Sequence, residues 1–204
     1  MSMVRFPCEH YASLELNQVA FPKTGMVVSQ TPLGTKFADT GDNNYGVCEN
    51  GMWVVADKSK GYLDAPAAAT SKPIGIVYTT EKEYENWNVG LKNFAHRPGS
   101  YPRVGIFSLG DTVTSNCFQY NDQENGFKAT DAAGSTPAKS AEQNMYETLA
   151  DYANNSVFVV AVAGSPIPKL TKVDPAGSGT YGKVTKFYTM PNGEKGVKYE
   201  IINL

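Results

Sequence analysis

Histidine, cysteine and blocks of like charge are what this sequence has least of. Its 204 residues include two histidines, His10 and His96, and three cysteines, Cys8, Cys48 and Cys117. A Ser-His-Asp or Cys-His catalyst has to recruit one of those two imidazoles. Cys8-x-His10 supplies two metal ligands, but no second pair follows at zinc-site spacing. An odd number of widely separated cysteines does not build a secreted disulfide framework, so the thiols read as free, part-buried groups in a reducing compartment. Eighteen Lys and Arg nearly balance twenty Asp and Glu, for a formal net charge of −2, and no basic block occurs. A nucleic-acid binder clusters cations to neutralise phosphates, so the composition points away from that class. No apolar run approaches the ~18 residues of a membrane span. The first fifteen residues, MSMVRFPCEHYASLE, lack the charged start and apolar stretch of a signal peptide. The expectation is therefore synthesis in the cytoplasm, with neither nucleic acid nor membrane as partner.

Glycine (19), proline (12), tyrosine (12) and phenylalanine (9) are plentiful, whereas only 19% of residues are charged. Turn formers and aromatic residues with few charges favour many short strands over long helices. The hydrophobic fraction of 41% suffices for a packed core. Around Gly51–Tyr84 the sequence reads as strand, turn, loop and strand. Met52–Ala56 is apolar, Lys58–Gly61 is a polar turn, and Pro73–Thr80 is a second β-branched run.

The fold class expected is mainly β, a barrel or sandwich, with one helix near residues 140–153 and an α+β C-terminal part. Residues 1–25 read as an extended N-terminal arm. Its apolar residues are too many for a free tail, so they pack on the chain's own core or on a partner. Residues 26–120 read as a β-rich body, with a strand at Gly25–Gln30, a short one at Tyr45–Glu49, and two around Gly110-Asp111 paired as a hairpin. Residues 121–139 read as a linker or long surface loop. In 140–204, Ser140 and Gln143 match a capping box, and Ala141, Met145, Leu149 and Tyr152 share one helical face. Val157–Ala163 is apolar at every position, the pattern of a strand buried on both faces. Pro191-Asn192-Gly193 separates the two strands of a closing hairpin.

Four motifs invite chemistry, and each has a plainer reading. GSGTYGKV, Gly177–Val184, matches the kinase glycine-rich pattern but lacks a following helix, and too little chain follows for the rest of a kinase; the plainer reading is a loop into the last hairpin. Asp39–Asn44 (DTGDNN) offers oxygen ligands without calcium-loop order, and turn formation explains it equally. Trp53 and Trp87 are candidate sugar-stacking platforms or core anchors. With a carboxylate pair brought together by the fold, they would make the chain a carbohydrate-binding or carbohydrate-active β protein. Asn154-Asn155-Ser156 fits the glycosylation sequon, without consequence where no signal peptide precedes it.

Three stretches carry a family resemblance: Gly51-Met-Trp-Val-Val-Ala-Asp57, the Ala/Thr stretch into Pro73-Ile-Gly-Ile-Val77, and Val104-Gly-Ile-Phe-Ser-Leu-Gly-Asp-Thr112. In these, and in its closing Thr189-Met-Pro-Asn-Gly193 turn, the chain resembles the β-rich capsid decoration (cement) proteins of tailed bacteriophages. The resemblance covers about the middle half of the chain. It implies a non-enzymatic virion protein, made in the bacterial host cytoplasm, that binds the outside of the shell of major capsid protein, as a homo-oligomer. It implies no catalytic residue, no cofactor and no metal. Phe6, Tyr11, Leu14 and Phe21 of the N-terminal arm are the residues expected to face the partner.

Overall fold

The computed structural model describes residues 3–15, 19–21, 31–37, 45–57, 59–67, 72–79, 94–96, 99–121, 127 and 139–204. The expected strand at Gly25–Gln30, the Asp39–Asn44 turn and Trp87 lie outside these residues.

The chain is mainly β, with two sheets and one helix among the described residues. The smaller sheet contains β2 (Trp53–Asp57), β3 (Tyr62–Asp64), β4 (Ile74–Val77) and β5 (Val104–Ile106), antiparallel in the order β3-β2-β4-β5. The larger has seven strands: β1 (Met3–Arg5), β6 (Thr112–Ser115), β7 (Gln119–Asn121), β8 (Phe158–Val162), β9 (Ser165–Thr171), β10 (Tyr181–Thr189) and β11 (Lys195–Asn203). Their order is β1-β7-β9-β8-β10-β11-β6. All its pairings are antiparallel except β7 with β9.

Alternation explains how the small sheet is covered on both faces. Trp53, Val55, Ile74 and Ile76 point into the main core, with Val113, Phe118, Val159, Leu170, Val197, Tyr199 and Ile201 of the larger sheet's neighbourhood. The intervening Val54 and Val77 turn to a second cluster with Leu33, Phe37, Cys48 and Leu63. Trp53 is fully buried, and its indole N–H donates to the Tyr199 hydroxyl at 3.1 Å, a bond spanning 146 positions of sequence.

The helix α1 (Ala141–Ala150) begins as its sequence dictates. The Gln143 amide donates to Ser140 Oγ, and the Ser140 amide donates to Gln143 Oε1. Met145 and Leu149 are buried, Ala141 and Tyr152 pack against the same core, and Tyr146 stacks on Phe187 of β10. The closing hairpin β10–β11 also forms, with Gly193 at φ 86°, a conformation that costs a residue with a Cβ.

Three local expectations change. Gly110-Asp111 does not close a hairpin, because β5 pairs with β4 and β6 pairs with β11. The turn instead carries the chain from one sheet to the other, and the Gly110 amide donates to the Ile201 carbonyl. Tyr45–Glu49 forms no strand but a single bridge, Cys48 to His96. Phe127, within the stretch expected to be surface loop, is buried edge-on against Tyr120.

The N-terminal segment is no free arm. β1 pairs with β7, and the chain then runs along the outer edge of β6, bridging at Leu14–Ser115 and Ala20–Thr112. Phe6 and Leu14 enter the same core as Trp53, Met145 and Tyr199. Residues from the expected arm, body and C-terminal part therefore share one core.

Candidate functional site

Of the four residues expected to face a partner, two face inward. Phe6 is fully buried edge-on against Phe118 and Tyr146, and Leu14 is buried beside β6. Their apolar area is already removed from water by the chain itself, so neither is available to a partner in this fold. Phe21 is half-buried, with its ring 5.5 Å from that of Tyr78 and lying on Gly105, where a Cβ would meet the ring at 2.6 Å. Tyr11 is half-buried at a shallow cleft that it shares with Arg5, Cys8, His10 and Glu49. The four do not form one surface.

Glu49 pins this segment down. It is nearly buried, and its Oε2 accepts from Arg5 Nη2 at 2.7 Å and from the Ala12 amide at 2.6 Å. The cysteines are free thiols, and burial pushes all three upward in pKa, Cys48 and Cys117 strongly. That disfavours the thiolate a nucleophile or metal ligand needs. His96 is 7% exposed, its Nε2 has no hydrogen-bond partner among the described residues, and burial lowers its pKa to about 4. Among the described residues no three His, Cys, Asp or Glu side chains group as a metal site.

Two motifs resolve into structure. After the glycine-rich stretch the chain enters β10 at Tyr181, so no helix N-terminus faces the loop. The Gly177 and Gly179 carbonyls accept from Asn203 Nδ2, which ties the loop to β11. Trp53, buried at 0% exposure, cannot be a sugar platform, and the carbohydrate reading loses that support.

A groove of about 930 Å³ lies between the two sheets. It is lined by Ile74 of β4 with Phe107, and by Val160 and Ala161 of β8 with Lys169 and Thr171 of β9. Lys72 and the loop that contains Ser178 and Gly179 line it too. The volume falls in the range of ligand-binding clefts.

A local fault in the larger sheet builds this groove. β8 and β9 lose register between Val160 and Val162, opposite Pro166 and Pro168. Proline has no N–H to give a ladder. The Gln119 side chain fills in by donating to the Ile167 carbonyl at 2.7 Å. Phe158 and Val159 stay buried, whereas Val160, Ala161 and Val162 are half-exposed. The all-apolar run is therefore not buried on both faces along its whole length. Its second half forms a groove wall. Ser178, Gly179 and Thr180 lie in the glycine-rich motif, and Ile74, Phe107, Val160 and Ala161 in stretches read as strands, but no groove was expected between them. The signal was present in Ser-Pro-Ile-Pro, two prolines in what reads as the neighbour of a fully apolar strand.

Lys72 and Lys169 line the groove, and among the described residues no Asp or Glu side chain does. Lys72 is paired with Asp57, and its ammonium, with the Ser59 hydroxyl, holds that carboxyl well below the usual range. No carboxylate pairs with Lys169 among the described residues.

No protein-family model, no curated protein and no solved structure matches the chain.

Proposed function

We propose that this chain is a non-enzymatic structural protein of a tailed-phage virion, a decoration protein that binds the outer face of the shell of major capsid protein as a homo-oligomer. The observation that carries the reading is where the resembling stretches lie. Gly51–Asp57, Pro73–Val77 and Val104–Thr112 supply β2, β4 and β5, which are consecutive neighbours in one sheet. Segments scattered over sixty residues of sequence thus make one contiguous unit, as a shared ancestral core would.

Exposed apolar side chains lend further support. Single exposed hydrophobics are ordinary, whereas a gathering of them marks association. Val173 (54% exposed) and Leu204 (55%) both line the groove, Ile202 is 42% exposed, and Leu109 (44%) precedes the Gly110 amide that bonds to Ile201. In this reading the partner is met by side chains around the C-terminal end of β11. Phe6 and Leu14 hold the body together instead.

Sedimentation with purified capsids of the source phage tests the reading. The protein is expected to pellet with the capsids at a saturating, fixed stoichiometry. Protein that stays in the supernatant at capsid concentrations above micromolar overturns it.

A further inference from the structure

We infer that the groove between the sheets seats an extended segment of a partner protein, one that alternates apolar residues with carboxylates. The inference rests on the association reading in taking the occupant to be protein.

Three observations converge on this occupant. The first is the cost of leaving the groove open. Val160 and Ala161 belong to an interior strand with neighbours on both sides, yet they remain half-exposed and line the groove together with Ile74 and Phe107. Apolar surface in the middle of a sheet is normally covered, and covering it is favourable by roughly 25 cal/mol per Å². The second is shape. The groove lies between strands of two sheets, with Ile74 of β4 among its lining on one side and β8 and β9 on the other. That suits a strand-like peptide, whose alternate side chains point down into a floor and up to a rim. The third is charge. On a chain of net charge −2, the groove is lined by Lys169, which no carboxylate pairs among the described residues, whereas Lys72 is already matched by Asp57. Lys169 lies directly across the ladder from Val160, so cation and apolar floor are adjacent. A peptide carboxylate placed over Lys169, beside an apolar side chain on Val160 and Ala161, satisfies both at once. The exposed Ser178 hydroxyl is at hand for its backbone.

Two variants of the full-length protein test this. Ala161→Trp fills the groove, and Lys169→Glu reverses its charge while leaving its shape. Each is assayed first by sedimentation with capsids, then by selection from a displayed library of random twelve-residue peptides. Unfolding midpoints within a few degrees of the parent show that the body is intact. Selection on the parent is expected to enrich peptides with alternating apolar and Asp or Glu residues. A161W is expected to weaken their binding at least tenfold. K169E is expected to weaken them comparably and to shift the selection away from acidic residues.

The failures separate. If the parent pellets with capsids and A161W pellets equally well, the groove is not the seat of the partner and the inference falls, while the capsid reading stands. If the parent does not pellet, the capsid reading falls, and the peptide selection alone decides the groove. Enriched peptides that lack carboxylates, that bind A161W as well as the parent, or no enrichment at all, overturn the inference.

Discussion

A buried imidazole contributes to how this protein responds to acid. His96 is sealed under the chain, and the low polarity of its site opposes the charged form, so its pKa falls to about 4. An unfolded histidine titrates near 6.5. Between these values the unfolded chain binds the proton and the folded one does not. The sign follows: the contribution is fully present above about pH 6.5 and is lost as pH falls towards 4, at about 1.4 kcal/mol per pH unit. Denaturant unfolding of the parent and of His96→Gln across that window checks this. The difference between the two stability curves is expected to slope by that amount and to flatten above pH 7. A difference that stays flat from pH 7 to 4 removes His96 from the account. His96 also joins Cys48 through two backbone hydrogen bonds, so acid loosens a strap that spans 48 positions of sequence from Cys48 to His96.

At the scale of elements, the N-terminal strand and the run after it are held by one carboxylate as well as by their backbone pairing. β1 has three residues, too few to be stable alone, and Glu49 takes both Arg5 and the Ala12 amide. Glu49→Gln is expected to cost about 1–3 kcal/mol, discounted for the solvent that reaches Arg5. Amide hydrogen exchange at Ala12 is expected to accelerate more than exchange in β10 or β11. Equal protection in variant and parent counts against this anchoring. How far elements were legible in the sequence depended on how local their causes are. The helix was legible because its cap and its apolar face lie between Ser140 and Tyr152. The β10–β11 hairpin was legible because Pro-Asn-Gly specifies its turn. The Gly110-Asp111 hairpin failed because a turn signal says that the chain bends, not which strand receives it. The inward turn of Phe6 and Leu14 was not legible. An apolar residue reads alike whether its own core or another molecule covers it, and here the covering strands lie a hundred positions away. The groove escaped for the same reason: it needs Pro166 and Pro168 set against Val160, with Ile74 and Phe107 opposite.

For the molecule as a whole, the order of strands in the larger sheet matters more than any one contact. β6 and β7 lie mid-chain, yet their partners β11 and β9 are among the last strands. Such non-local pairing makes folding slow, because loop closure is paid for before the contacts that reward it. A fragment ending at residue 155 keeps the small sheet and α1 but loses every long partner of β6. It is expected to show neither a cooperative unfolding transition nor dispersed amide resonances, and a fragment that shows both counts against the single shared core.

The Asn203 amide that bonds to Gly177 and Gly179 has a consequence in time as well as in space. On a ribosome, the glycine loop is made 24 to 26 positions before the side chain that fastens it. Until β11 has been made, β6 and β10 also lack the strand that pairs with both of them, and their open edges are exposed to wrong pairing.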